Sequence, residues 1–180
     1  MITVLLYILL ILLTIIICAY FLDVLLTGKT PLVVTPPKVL KVLSQEIQLK
    51  DSSVFYDLGS GTGNTLLYLS NNYPATKFIG IDNSFISCLI SRVLMRFKHV
   101  PNITVINKNF FDVDLSKATH LYSWIIVSDM DKLLPKLRKE LKPGTLLYSL
   151  DFPFTHMSPI KTLDFGNTHM FGRKLYTYEF

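Results

Sequence analysis

Residues 53–64 read SVFYDLGSGTGN, and residues 77–83 read KFIGIDN. In the first stretch a short apolar, β-rich run (53–58) is halted by glycines at alternate positions, Gly59, Gly61 and Gly63. Residues 65–69 then read as the start of a helix, and 77–81 as a second strand. Strand, glycine turn, helix and strand within about 30 residues is the repeating unit of a parallel sheet with helical crossovers. Glycines at such a turn let the backbone pass close to a ligand, and the N–H groups that open the next helix favour an anionic group there. Asp82 follows Gly63 by 19 residues, at the end of the second strand, where a carboxylate can accept both hydroxyls of a ribose.

The alternation continues on both sides of this unit. Upstream, Thr35 is expected to cap a helix with Pro36 in its first position, and Val39, Leu40, Val42, Leu43 and Ile47 supply its apolar face. Downstream come a helix over 84–97, strands over 103–107 and 120–127, a helix over 132–141 and a strand over 145–150. Two β-rich runs, 161–165 and 174–180, flank a loop at 166–172 with no helix between them, so an antiparallel hairpin is expected on one edge of the sheet. The expected fold class is α/β, a doubly wound, Rossmann-like sheet of seven strands ending in that hairpin.

The chain has 180 residues, half of them hydrophobic, and a mean hydropathy of +0.40. That excess is local. Residues 1–22 (MITVLLYILLILLTIIICAYFL) hold 20 apolar residues, two threonines and no charge, leaving about 44% apolar content for the remainder, ordinary for a globular domain. At 1.5 Å per residue the segment spans roughly 33 Å, enough to cross a ~30 Å hydrocarbon core. A cleaved signal fits poorly, because no basic residue precedes Lys29, no Ala-x-Ala occurs, and Ile17 stands before Cys18. The expected layout is a transmembrane anchor at 1–22, a linker at 23–34 and a globular domain at 35–180. Lys29, Lys38 and Lys41 all follow the span, so the positive-inside rule puts that domain in the cytoplasm.

Cys18 and Cys88 do not form a disulfide framework, and His99, His120, His156 and His169 show no ligand spacing; no metal is expected. The net charge of +5 is spread along the chain apart from short clusters such as KLRKELK at 136–142. We read it as a solvated face beside an anionic membrane rather than a nucleic-acid site.

The glycine spacing also discriminates between cofactors. A dinucleotide fingerprint wants a third small residue where Asn64 stands, which disfavours a pyrophosphate. Asp57, two residues before the first glycine, suits an ammonium group instead, and S-adenosylmethionine carries both an α-ammonium and an α-carboxylate. DLGSGTG with Gly80-Ile81-Asp82 resembles the S-adenosylmethionine site of class I, seven-stranded methyltransferases, whose sheet ends in such a hairpin.

A narrower resemblance rests on Pro31-Leu32-Val33-Val34-Thr35-Pro36-Pro37, Asn109-Phe110-Phe111-Asp112, residues 136–144 (KLRKELKPG) and Asp151-Phe152-Pro153. These runs resemble the membrane-anchored protein-lysine methyltransferases of the ATP synthase c subunit and the adenine nucleotide translocase, with their prokaryotic relatives. After the fourth strand this chain has Trp124-Ile125-Ile126-Val127 where that family has Tyr-Leu-Leu-Pro. The resemblance implies that Asp57, Gly59, Gly61 and Gly63 hold the methionine end, Asp82 the ribose with help from Asn83, and Asn109 with Phe110 the adenine. Thr35 is placed beside the cofactor. Trp124, Ser128, Asp129, Asp151 and Phe152 are the acceptor-side candidates.

The function expected is methyl transfer to a lysine of a membrane or membrane-proximal protein. A lipid, quinone or other small acceptor would use the same cofactor residues, and a non-catalytic assembly factor would keep the fold. Replacing Asp82 with alanine should weaken S-adenosylmethionine binding by about 1.5–3 kcal/mol, roughly 10- to 150-fold, since a charged acceptor is lost from two hydroxyls. Calorimetric titration checks this; an unchanged affinity would remove Asp82 from the site.

Overall fold

The computed structural model describes residues 2–27, 33–166 and 172–180. It divides into two compact units, Met1–Val33 and Val34–Phe180. The first contains helix α1 (Ile2–Thr27). Its stretch Thr3–Leu22 has a mean hydropathy of 3.0, and none of it is buried against protein. A helix this long and apolar on all sides is a candidate membrane span by length and composition. It continues past Leu22 into the stretch expected as linker; residues 28–32 of that stretch lie outside the described residues.

The second unit opens with α2 (Pro37–Glu46), whose N-cap is Pro36 rather than Thr35. The two prolines that follow Thr35 remove the first N–H groups it could cap. Its side chain points inward instead, as described below. Then follow β1 (Val54–Leu58), α3 (Asn64–Ser70), β2 (Lys77–Asp82), α4 (Phe85–Phe97), β3 (Ile103–Asn107), β4 (His120–Ser123), α5 (Val127–Glu140), β5 (Leu146–Leu150), β6 (Lys161–Asp164) and β7 (Lys174–Glu179). The seven strands form one sheet in the order β3-β2-β1-β4-β5-β7-β6. The first five are parallel, and β7 runs antiparallel to both β5 and β6. The expected hairpin is present, with its last strand inserted inside its first. The loop expected at 166–172 lies mostly outside the described residues.

Alternation along the buried strands sends successive side chains to opposite faces. Phe55, Phe78, Tyr122 and Tyr148 pack with Val39 and Leu43 of α2, Leu66 and Leu69 of α3 and Met95 of α4. Tyr56, Ile79, Leu121 and Leu147 pack on the other face with Met130, Leu133 and Leu137 of α5 and with Leu115 and Ala118. The crossover from β3 to β4 carries only a single 3-10 turn, Phe110–Asp112.

The fourth strand is shorter than its sequence suggests. Residues 120–127 read as one strand, yet β4 ends at Ser123, Ile126 is the N-cap of α5, and Val127 is already helical. The reason is its neighbour. Ser123 pairs with Leu58, the last residue of β1, and the chain turns away at Gly59, so Trp124 and Ile125 lose their β1 partner, while β5 on the other side ends one residue beyond Ser149. The helix expected to start at Lys132 therefore begins five residues earlier.

Order reverses between β1 and β4, since β2 crosses to one side and β4 to the other. That switch point, at the carboxyl ends of the parallel strands, is where open α/β sheets bind ligands. Because both core clusters are complete without α1, deleting residues 1–22 should leave a domain that unfolds cooperatively. Its Tm should lie within about 4 °C of the full-length protein in detergent, the shift that roughly 1 kcal/mol causes at this size. Loss of the cooperative transition would make the segment part of the core.

Candidate active site

The turn after β1 is fastened to the end of β2. Gly59 N and Ser60 N both donate to the Ile81 carbonyl at 2.8 and 3.0 Å, Gly61 N donates to Asp82 Oδ2 at 2.9 Å, and Gly63 N donates to the Ser60 carbonyl at 2.8 Å. Asp82 Oδ1 accepts from Ser84 N at 2.8 Å, and Ser84 caps α4. Asp82 therefore shapes two helix entrances, and each of its oxygens retains a second lone-pair direction for a ligand hydroxyl. Asn83 beside it is exposed.

Gly63 has a packing role that its motif does not reveal. Its φ is +80°, and a Cβ there would lie 2.4 Å from Met95 Cε and 2.6 Å from Ser91 Oγ. Only glycine lets α3 start this close to α4. A Cβ on Gly59 would meet Ile125 alone, at 3.3 Å, so its requirement comes from φ +79° at the turn.

Asp57, on β1, is 3% exposed. Among the described residues no donor reaches its carboxylate. Burial, and after it the negative charge of Asp82, push its pKa up to about 8. Register sets Asp57 beside Gly80 on β2 and Tyr122 on β4. The Tyr122 hydroxyl lies 3.0 Å from Thr35 Oγ1, which lies 3.1 Å from Thr65 Oγ1, and Asn64 Nδ2 donates to the Thr35 carbonyl at 3.3 Å. Burial drives the Tyr122 pKa upward, so this hydroxyl chain stays neutral behind the acid. A buried carboxyl without a partner fits a ligand that brings its own cation, as the α-ammonium of S-adenosylmethionine would.

Asn109 closes the β3 end. Its Oδ1 accepts from Phe111 N at 3.1 Å, leaving its amide N–H groups at an exposed position. Phe110 is half-buried, packed on the core and tilted against Phe111 at 4.7 Å.

Beyond β4 and β5 the candidates separate. Asp151 adopts a left-handed backbone, φ 64°. Its Oδ2 accepts from Gly172 N at 2.6 Å and Trp124 Nε1 at 3.2 Å, and its Oδ1 accepts from Arg173 N at 2.6 Å and Lys174 N at 3.2 Å. Four donors saturate it. Asp151 ties the start of β7 to the Trp124 indole and has little capacity left for an incoming amine. Phe152 is half-buried on the α5 side of the core. Asp129 sits in the first turn of α5, partly exposed, 3.5 Å from Lys132 Nζ; Ser128 beside it is exposed. Tyr122 and Thr65, missed in the sequence, join the site through cross-strand register and helix packing, which carry no local signal.

Residues 57–161 match the ANTKMT methyltransferase domain, from Asp57 of the glycine turn to the first residue of β6. The chain belongs to that family. It is 27% identical to a protein-lysine N-methyltransferase of Saccharolobus islandicus over 151 residues, covering 82% of this chain and 92% of that protein. Among solved structures it resembles an RNA methyltransferase from Salinibacter ruber in complex with S-adenosylhomocysteine, with TM-score 0.75, 26% identity, and coverage of 82% of this chain and 93% of that one. PKMT2 from Rickettsia typhi, also bound to S-adenosylhomocysteine, shares the fold with TM-score 0.52 and 21% identity over 68% of this chain, though over only 26% of its own. The chain is an S-adenosylmethionine-dependent methyltransferase.

The raised Asp57 pKa has a signed consequence for the cofactor-free enzyme. A carboxyl near pH 4 when unfolded and near 8 when folded contributes stability below pH 4, lost as pH rises through 8. Urea titrations should show the wild type falling relative to Asp57→Asn by up to about 1.4 kcal/mol per pH unit across that window. Saturating cofactor should flatten the difference. Parallel curves for the two proteins without cofactor would mean that the carboxyl is solvated.

Proposed function

We propose that the chain methylates a lysine side chain of a membrane or membrane-proximal protein, with the catalytic unit on the cytoplasmic face. The observation that carries the lysine assignment is the similarity to the Saccharolobus islandicus protein-lysine N-methyltransferase along 92% of that protein's length. The membrane assignment is supported by the unburied apolar helix α1.

S-adenosylmethionine, when bound, supplies an electrophilic methyl group on a sulfonium. Asp57 would take its ammonium, the backbone of Gly59 and Gly61 would pass beside its methionine end, and Gly63 would hold α3 in place for that approach. Asp82 would accept the ribose hydroxyls with Asn83 alongside, and Asn109 with Phe110 would read and stack the adenine. Thr35 holds the hydroxyl of Tyr122, whose place on β4 is opposite Asp57. On the acceptor side Trp124 and Phe152 would wall the approach, Asp129 would guide the incoming ammonium, and Asp151 would act through Trp124 by fixing its indole.

Displacement at a sulfonium leaves a neutral group, so alignment and an unprotonated nucleophile are the main requirements. With a pKa of about 10.4, roughly one lysine in a thousand is neutral near pH 7.4. Desolvation between aromatic walls lowers that pKa, and a strong general base is unnecessary. A second reading, RNA as acceptor, is favoured by the name of the Salinibacter ruber neighbour.

Full-length protein incubated with methyl-labelled S-adenosylmethionine and membranes should label a protein band whose hydrolysate contains methyl-lysine. Label in the RNA or the lipid extract instead would overturn the lysine reading. The form lacking residues 1–22 should keep its rate on a short lysine peptide and lose most of its rate on membranes, because tethering confines enzyme and acceptor to one thin layer.

A further inference from the structure

We propose that the outward face of α4 docks the catalytic unit onto an anionic lipid surface. The helix is arranged against the usual rule. Toward the sheet it buries Ser87, Cys88, Ser91 and Met95, small or soft side chains of modest hydrophobicity. Toward solvent it presents Phe85 (60% exposed), Leu89 (45%), Ile90 (36%), Val93 (45%) and Phe97 (77%). A surface helix of a soluble domain carries polar residues there. The other large apolar side chains exposed in Val34–Phe180, among the described residues, are Val34, Ile126, Val127 and Ile160, which form no comparable stripe.

Spacing makes the stripe continuous. Phe85, Leu89, Val93 and Phe97 recur every fourth residue, each step advancing about 40° around the helix and 6 Å along it, so they cover an arc of roughly 120° about 18 Å long. Arg92 borders that arc beside Phe85, and Arg96 falls within it between Phe85 and Leu89 in azimuth; both are exposed, and Arg92 is steadied by donating to the Val105 carbonyl at 3.0 Å. Lys98 caps the helix end, and Lys108 follows β3. No Asp or Glu occurs from Asn83 to Phe111, which holds these four basic residues. Apolar side chains bordered by arginine and lysine suit the boundary between acyl chains and anionic headgroups.

The same charges argue against a second copy of the chain on this face. A two-fold contact would press Arg92, Arg96 and Lys98 of each copy onto a helix that offers no acid to answer them. A bilayer is also within reach, since residues 28–34, which follow the end of α1 at Thr27, span at most about 25 Å when extended; this reach rests on α1 being the anchor, whereas the composition of the face does not. Because α4 packs along β2 and β3, docking through its outer side would lay the sheet along the bilayer and turn the strand-end rim sideways, toward residues of a membrane protein near the surface.

The test uses the full chain in vesicles of phosphatidylcholine with and without phosphatidylserine. Both native cysteines are replaced by alanine, and a nitroxide is placed in turn on Phe97→Cys, on Leu12→Cys in α1 and on Lys142→Cys at an exposed site away from α4. Collisions with oxygen report lipid, and collisions with a water-soluble nickel chelate report solvent. With phosphatidylserine present, the label at 97 should favour oxygen severalfold over the label at 142, and the added pair Leu89→Glu and Val93→Glu should return it to the nickel chelate. A label at 97 as open to nickel as that at 142, while the label at 12 lies in lipid, would overturn docking and leave the anchor intact. A label at 12 open to nickel with 97 in lipid would sustain docking without the anchor. Shielding of 97 from both reagents, with spin–spin broadening between labels, would assign the face to a second copy and overturn the proposal.

Discussion

The Ile81 carbonyl and the Asp82 carboxylate hold the turn after β1 in shape. Between them they accept the N–H groups of Gly59, Ser60 and Gly61, groups that would otherwise need water or a ligand to satisfy them. The turn is therefore set by pairing of β1 with β2, and its geometry exists before any cofactor arrives. Everything at the site inherits that geometry: the start of α3, the seat of α4 under Gly63, and the direction in which Asp57 looks. A site organised in this way gives up little conformational freedom on binding.

Two acidic residues at the carboxyl side of the sheet show how environment separates roles. Asp151 accepts four N–H groups and is fully engaged in tying β7 to Trp124. Asp57 is more deeply buried and accepts none among the described residues, with Asp82 adding like charge nearby. One carboxylate is balanced by donors of the fold, and the other is not. The sequence motifs treat both as plausible site residues; only their donors tell them apart.

Local pattern was enough for much of the fold. Glycine spacing after a β-rich run located β1, α3 and β2, and β3 starts and ends where its own residues indicate. The failures all involve partners distant in sequence. Trp124 to Val127 reads as strand, but the strand needs Gly59 and its successors to stay alongside, and they turn away. Thr35 reads as a cap, but its hydroxyl is engaged by Tyr122, 87 residues later. Asp151 reads as a free rim acid until the turn before β7 folds back onto it. The inverted polarity of α4 was equally hidden, because its apolar stripe has the same spacing whichever side faces the core. Most of the residues expected at the cofactor lie in one short βαβ unit and could be read together; those expected on the acceptor side follow two separate strands, β4 and β5, and their partners could not be read from the sequence.

The place of β7 bears on how the chain is made. It lies between β5 and β6 although it follows both in sequence, with Tyr148 paired to Thr177 on one side and Thr162 to Tyr176 on the other. As the polypeptide leaves the ribosome, β1 to β5 can assemble in order, but β5 remains an open edge until the last strand emerges. An open edge rich in leucine and tyrosine is a template for pairing with another chain. The chain is thus most prone to aggregate in the interval between the folding of β5 and the arrival of β7 at its edge.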